Sequence, residues 1–455
     1  MSPIDPIAAF IEAAIWHGTL EAAEAILAAH PEITHGSIHV AAILGDDGAV
    51  CRFISDDRQN ATKKEAPYDG DALVYLCLSK YLRLDPERSA GFLRAVTALL
   101  DAGADPNSGF WSKDEYHEWE TALYGAAGVA HHADLTRLLL ERGADANDNE
   151  TFYHAPETYD NAAVKVLVES GKMRSDLVAG MLLRKADWHD YEGIKYLLEH
   201  GADPNLMTMW GYTALHQALR RDNALRNIEL MLEHGADPAI ETAAQVRAAF
   251  MPQLDANRRR SGFVIAARRG RGDVLEAMER RGIAMEFTGV DRLIAACARN
   301  DRAAARTIAE REPQLVHELL AAGGRLLAEF ASTNNDEGVR MLLDLRVPVN
   351  ELYDGDPYFG IPKDSTALHV AAWKAWPKTV KLLIERGAAV NAQDAKGQTP
   401  LMLAVRACVD SYWTNRRSPE SVEALLRAGA TVDGIAIPCG YDEVDKLLQS
   451  KRFGN

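Results

Sequence analysis

The stretch TALHVAAWKAWPKTVKLLIERGAAVN, residues 366–391, predicts two short helices followed by a turn. The first helix contains Ala371 and Ala372, the second contains VKLLI at 380–384, and Gly387 ends it. Two helices of about ten residues each leave one apolar flank open, so such a unit is stable only when it stacks on copies of itself. The stretch therefore predicts a repeat protein.

Copies of this unit occur along the chain. The closing turn returns as GADPN at 103–107, GADAN at 143–147, GADPN at 201–205, GADP at 235–238, and GA at 387–388 and 429–430. The opening returns as TAL at 121–123, TALH at 213–216 and 366–369, and TPL at 399–401. Three of these threonines stand 21 or 22 residues before their closing glycine, and the fourth unit carries an insertion.

This pattern resembles the ankyrin repeat family, whose unit of about 33 residues carries a Thr-Pro-Leu-His signature. The residue types suit their places, since Thr caps the first helix, Gly after the second adopts the left-handed conformation, and Asp-Pro-Asn turns the chain into a finger. The resemblance implies an all-α, ankyrin-type helix-pair solenoid of about twelve repeats with capping units, the last a helix at 441–450. We expect two sub-stacks, 1–254 and 262–455, separated by the basic break DANRRRS at 255–261.

Composition restricts the partners and the compartment. Fifty basic and 66 acidic side chains leave a net charge of −16, which argues against nucleic acid or an anionic membrane as a partner. Five scattered cysteines without a Cys-x-x-Cys pair indicate reduced thiols and no zinc site. The N-terminus lacks a basic leader, and no apolar run reaches the roughly 18 residues of a membrane span, so we expect a cytoplasmic protein. Metal-ligand spacings and phosphate-binding glycine loops are absent, so we expect neither a metal nor a cofactor.

Function is expected where the repeat is interrupted. Three fingers are longer than an ordinary one, at 108–120, 148–160 and 350–364, and should line one concave side. A fourth insertion, 408–420, lies between the two helices of its unit and should be at the opposite edge. The candidate binding residues of the fingers are Trp111, Tyr116, Trp119, Tyr153, His154, Tyr353, Tyr358 and Phe359.

Aromatic rings mixed with carboxylates allow several interpretations. They anchor protein interfaces, they hold sugars and organic cations, or they pack against neighbouring fingers. The family resemblance favours a scaffold that binds another protein through its concave finger face. The alternative is a site for a small neutral or cationic ligand, or an acid–base enzyme if two carboxylates face each other. The candidates for that chemistry are Asp114, Glu115, His117, Asp354 and Asp356.

Six arginines form a basic island in this acidic chain, at 258–260, 268, 269 and 271. We expect them to belong to a solvated linker and helix face, with docking of an anionic partner as the alternative.

Overall fold

Pairs of short helices joined by tight turns make up the chain, so the predicted all-α, helix-pair solenoid is confirmed. The computed structural model describes residues 5–243, 259–411 and 416–453. The chain divides into two compact units, which are described separately. The first unit is Met1–Ala218 with Glu233–Ala236, and the second is Leu219–Leu232 with Asp237–Asn455. Most of the predicted basic break, residues 255–258, lies outside the described residues.

The helices follow one another at short intervals. The first sixteen are α1 (Pro6–Ala14), α2 (Glu21–Ala29), α3 (Ile33–Gly36), α4 (Ile38–Ile43), α5 (Asp47–Asp56), α6 (Ala72–Cys77), α7 (Lys80–Leu84), α8 (Ser89–Ala102), α9 (Ala122–Tyr124), α10 (Ala133–Glu141), α11 (Thr151–His154), α12 (Ala162–Glu169), α13 (Ser175–Asp187), α14 (Tyr191–Glu199), α15 (Ala214–Arg220) and α16 (Leu225–Glu233). The others are α17 (Gly262–Arg268), α18 (Gly272–Arg280), α19 (Val290–Ala298), α20 (Arg302–Arg311), α21 (Pro313–Leu320), α22 (Gly323–Ser332), α23 (Asp336–Asp344), α24 (Ala367–Trp373), α25 (Pro377–Glu385), α26 (Pro400–Val409), α27 (Glu420–Arg427) and α28 (Asp442–Phe453). The described residues also contain two 3₁₀ turns (Arg58–Thr62, Pro86–Arg88), a π-helical turn (Gly125–Val129) and two strands, β1 (Gly109–Trp111) and β2 (Trp119–Thr121).

The helices of each unit stack in two rows. In the first unit, first helices pack in the order α1, α4, α6, α9, α11, α13, and second helices in the order α5, α8, α10, α12. In the second unit, α22, α24 and α26 form one row, α23, α25 and α27 form the other, and α28 packs on α27 at the predicted capping position. A first-row helix such as α24 is buried along its whole length, which explains why ALHVAAW is apolar all round.

The residues of the repeat signature cap the ends of the helices. Thr121 Oγ1 accepts a hydrogen bond from the Tyr124 amide at 2.9 Å. At the start of α24, His369 Nδ1 accepts from the Thr366 amide at 3.1 Å, which closes the first turn. The glycines that end the second helices have φ between +84° and +107°, as the left-handed cap requires; they are Gly103, Gly143, Gly201, Gly235, Gly387 and Gly429.

Where a closing turn ends in asparagine, that residue connects one repeat to the next. Asn107 Oδ1 accepts from the Asp145 amide at 2.7 Å, and Asn107 Nδ2 donates to the Gly143 carbonyl at 3.3 Å. Asn391 makes the same pair of bonds one repeat along its own unit. Bonds from asparagine side chains to the backbone of the next finger therefore hold neighbouring fingers in register.

Candidate functional site

The first long finger is a β-hairpin, which we call the hairpin finger (108–121). β1 and β2 pair antiparallel with Trp111 opposite Trp119 and Phe110 opposite Glu120. Side chains alternate between the two faces of a strand. One face therefore carries the two tryptophans, and the other carries Phe110 and Glu120.

Asp114 organises the tip of the hairpin finger. Its Oδ1 accepts from Ser112 Oγ at 2.9 Å and from the amides of Tyr116 and His117, both at 3.1 Å. The bond from Ser112 and these backbone bonds lower the pKa of Asp114, which holds it ionised. This carboxylate, a candidate for acid–base chemistry, is thus engaged in the turn, while Glu115 is exposed beside it.

The outer face of the hairpin finger presents an aromatic patch, which comprises Trp111, Tyr116, His117 and Trp119. The exposed fractions are 54% for Trp111, 60% for Tyr116 and 38% for Trp119. The Trp111 ring stacks on His117 at a centroid distance of 5.1 Å and meets the edge of Trp119 at 5.3 Å. Two large apolar rings are therefore held side by side in contact with solvent.

The inner face of the hairpin finger anchors it to the first unit. Phe110 is buried, stacks on Tyr68 at 4.8 Å and meets Trp16 edge-on at 5.7 Å. Burial of a phenylalanine side chain stabilises a fold by about 1.5–3 kcal/mol. The aromatic patch is consequently mounted on a fixed support.

The second long finger, 148–160, begins at a carboxylate that joins it to the first. Asp148 Oδ2 accepts from Thr121 Oγ1 at 2.5 Å, and Asp148 Oδ1 accepts from the Thr151 amide at 2.6 Å. Burial raises the pKa of Asp148 and the hydrogen bonds oppose that rise. The end of β2 and the start of α11 are thereby bound to the same side chain.

His154, a predicted binding residue, is an internal cation of this finger. Its Nε2 lies 3.2 Å from Glu150 and its Nδ1 lies 2.9 Å from Glu157. Burial alone would lower the pKa of His154, but the hydrogen bonds to the two carboxylates outweigh burial and raise the pKa to about 9. The protonated ring therefore donates both N–H groups at neutral pH. The π-helical turn packs against it, since a Cβ on Gly128 would lie 2.9 Å from the Cβ of His154.

Three carboxyl groups of the two fingers interact electrostatically, and we call them the acidic slot: Glu118, Glu120 and Glu150. Glu118 is exposed, whereas Glu120 and Glu150 are only 5% and 7% exposed. Burial, followed by the charges of Glu150 and Glu118, raises the pKa of Glu120 to about 8. Burial and the interaction with Glu150 also raise the pKa of Glu118. Within the described residues, Oε2 of Glu120 is buried without a hydrogen-bond partner.

Tyr153 connects the second finger to the next finger of the first unit, residues 203–212, which we call the third finger. The Arg184 guanidinium carbon lies 4.0 Å from the centre of the Tyr153 ring, and the Trp210 ring lies 5.6 Å away. Arg184 Nη1 also pairs with Asp187 at 2.6 Å. Tyr153 is therefore a half-buried contact between fingers.

The long finger of the second unit, 350–364, uses its aromatic residues differently. Tyr353 and Phe359 are buried in a cluster with Trp373, whose Nε1 donates to the Phe359 carbonyl at 2.6 Å. Tyr358 is 36% exposed. Of the three rings predicted to bind a ligand here, two fill the joint with the neighbouring repeat and one reaches the surface.

The acidic candidates of that finger are also separated by role. Asp356 Oδ1 accepts from the amides of Tyr358 at 3.1 Å and Phe359 at 3.4 Å, which makes it a turn acceptor. Asp354 is exposed. Asp114 belongs to the first compact unit, whereas these two aspartates belong to the second.

A buried charge network lies in the second unit, and the sequence did not predict it. Asp222 accepts from Arg269 Nη2 at 2.6 Å, Lys374 Nζ at 2.9 Å and Ser332 Oγ at 2.8 Å. Burial opposes the charge of Asp222, but Arg269 and then Lys374 outweigh it and hold the pKa of Asp222 far below its ordinary value. Burial lowers the pKa of Lys374 to about 8. Arg269 and Arg271 are both buried, so the expected solvated face was wrong for these two arginines of the basic island.

Two absences concern the part of the chain that the structure describes. Across 5–243, 259–411 and 416–453, no group of three or more His, Cys, Asp or Glu side chains is arranged to hold a metal ion. Among the helices of these same ranges, none is long and apolar enough to cross a membrane.

Comparison with known proteins agrees with this architecture. Models of ankyrin repeats match the chain over residues 293–434 (three copies), 182–226 (many copies) and 210–243 (one repeat). The chain contains ankyrin repeats. Among solved structures, it is similar to the crystal structure of the human ASB11 ankyrin repeat domain, with 20% identity over 55% of this chain and 98% of that chain, at a TM-score of 0.23.

The ankyrin assignment gives a broad function. Stacked repeats of this kind present extended surfaces for binding, and ankyrin repeats generally mediate protein–protein interactions, so the chain is a protein-interaction scaffold. The hairpin finger lies outside the matched segments, so its role has to be argued from its own geometry.

Proposed function

We propose that this scaffold binds its protein partner through the fingers of the first unit, with the aromatic patch as the anchor. The observation that carries the proposal is the pair Trp111 and Trp119, which is exposed although its support is fixed. Tryptophan and tyrosine dominate the binding energy of protein interfaces because each buries a large area at a small cost in conformational entropy.

Further apolar side chains extend this surface along neighbouring fingers. Tyr159 in the second finger is 67% exposed, and so is Met209 in the third. Contacts between Tyr153 and Trp210 hold the second and third fingers together. The surface is therefore an open row of fingers, which suits a polypeptide partner better than an enclosed small molecule.

The test is partner capture by matched variants. The double variant Trp111→Ala/Trp119→Ala removes the anchor, and Leu84→Ala removes an exposed apolar side chain of α7, outside the fingers. Proteins cross-linked through Lys113, at the tip of the hairpin finger, are quantified by mass spectrometry from a native lysate. Because a hot spot is worth about 2 kcal/mol or more, we expect capture to fall at least about thirtyfold in the double variant and to be unchanged in Leu84→Ala.

Stability separates binding from packing. Removing the contact between the two exposed indoles should cost about 0.5–1.5 kcal/mol, too little to unfold the unit. Unchanged capture by a folded double variant would refute the proposal. A large loss of stability with capture intact would show that the rings pack the joint instead.

A further inference from the structure

The inner side of the hairpin finger holds more carboxylates than cations. These carboxylates are not part of the aromatic patch. Glu118, Glu120 and Glu150 interact electrostatically there, and His154, which pairs with Glu150, also pairs with Glu157. Glu157 is in addition paired with the Arg184 guanidinium. A further positive charge would therefore be attracted to the acidic slot.

One atom of the slot lacks a partner. Oε2 of Glu120 is buried without a hydrogen bond to any of the described residues, and the side chain is 5% exposed. A buried polar atom without a partner costs about 1–3 kcal/mol. Its retention next to two other carboxyl groups indicates a position for a donor that comes from outside the chain.

The three carboxyl groups of the slot differ in exposure. Glu118 is exposed, while Glu120 and Glu150 are buried. Pairing of β1 with β2 fixes Glu118 and Glu120 on the same face of the hairpin, and Asp148 joins that strand to α11. The acceptors are consequently held in place before any ligand arrives.

We propose that the acidic slot receives the guanidinium group of an arginine supplied by the protein partner. A guanidinium offers five N–H donors in one plane and can bind several carboxyl oxygens at once. This inference rests on the proposed function, because the partner brings the arginine.

Proton release gives a signature of this site. The charged groups that face Glu120 are Glu118 and Asp114 on the hairpin finger, and Glu150 and His154 on the second finger. A bound cation favours the ionised form of Glu120, which is largely protonated at pH 7. Arginine binding near neutral pH should therefore release protons, whereas a loose attraction to surface charge should not.

The probes are Nα-acetyl-arginine methylamide, its neutral isostere Nα-acetyl-citrulline methylamide, and agmatine. Each is titrated calorimetrically into the full chain in two buffers of different ionisation enthalpy. We expect saturable binding of the arginine probe, at least about tenfold tighter than the citrulline probe, with proton release. Glu120→Gln and Glu150→Gln should each weaken it at least about tenfold, and Glu141→Gln, the same change at an exposed site on α10, should leave it within about twofold.

Several outcomes would overturn the proposal. Equal affinity for the arginine and citrulline probes, or an unchanged affinity in folded Glu120→Gln, would exclude a guanidinium in this slot. Tighter binding of agmatine, which carries an ammonium group besides its guanidinium, would assign the slot to a small dicationic ligand rather than to a polypeptide side chain. The two proposals can fail separately. If the arginine probe does not bind but partner capture still depends on the aromatic patch, only this inference is refuted. If the probe binds but partner capture does not depend on the aromatic patch, only the proposed interface is refuted.

Discussion

Glu120→Gln should make the protein more stable, and increasingly so as the pH rises. The pKa of Glu120 is raised from its ordinary 4.5 to about 8. Below pH 4.5 the group is protonated in the folded and unfolded chains alike. Between those values only the folded chain holds the proton, so the stability present at low pH is lost as the pH rises through about 8. Glutamine is neutral throughout and avoids this loss.

The shift sets the magnitude. At 1.36 kcal/mol per pKa unit, the full shift would correspond to about 5 kcal/mol. Because Glu118 is exposed, solvent should screen part of the interaction, so we expect roughly half of that, about 2–3 kcal/mol, in favour of the variant at pH 9. Near pH 5 the difference should be close to zero.

Urea unfolding at pH 5, 7 and 9, followed by tryptophan fluorescence, measures the effect, and amide hydrogen exchange of the hairpin finger shows whether it is local. Glu141→Gln is the matched control, since it removes the same charge from an exposed position of the first unit. A difference between Glu120→Gln and the wild type that stays constant or shrinks from pH 5 to pH 9 would refute the reasoning.

Three further changes test other parts of the structure. Lys374→Met removes one of the cations that pair with the buried Asp222 carboxylate and should lower the unfolding free energy by about 2–4 kcal/mol. Lys381→Met, whose ion pair is half exposed, should lower it by less than about 1 kcal/mol. Comparable losses for the two variants in chemical denaturation would contradict a buried network. Gly109→Ala brings a methyl group to 2.7 Å from a carbonyl oxygen of the facing strand, so the amides of the hairpin finger should lose their protection from hydrogen exchange. Gly36→Ala, which has open space around it, should leave that protection unchanged. Retained protection in Gly109→Ala would show that the hairpin adapts. The pKa of His154 is raised from 6.5 to about 9, so its ion pairs contribute stability that is fully present below pH 6.5 and is lost as the pH rises through about 9. His154→Gln should therefore lower the unfolding free energy by about 2 kcal/mol more at pH 6 than at pH 10. A pH-independent loss would exclude the ion pairs as its source.

Local rules explain which parts of this protein were predictable. The threonine caps, the left-handed glycines and the apolar pattern of α24 act within one repeat, and they predicted the helix pairs and the ankyrin fold. The positions of the long fingers followed from the same repeat spacing. The identity of His369 as a turn residue was likewise predictable, because its partner Thr366 is three residues away.

Long-range packing decided the rest. Tyr353 and Trp111 are both aromatic residues of long fingers, yet one is buried and the other is exposed, because neighbouring repeats cover only the first. Arg269 looked like part of a solvated basic face, and only the approach of Asp222, distant in sequence, makes it an internal cation.

The hairpin finger shows most clearly which features followed from the sequence and which depended on the tertiary structure. The residues Glu-Trp-Glu at 118–120 determine by alternation that the tryptophan and the glutamates face opposite sides once a strand forms. The sequence did not reveal that Glu150 of the next finger interacts electrostatically with those glutamates, or that Glu120 is buried there. Pairing between segments distant in sequence depends on how repeats stack, and that stacking is a property of the tertiary structure alone.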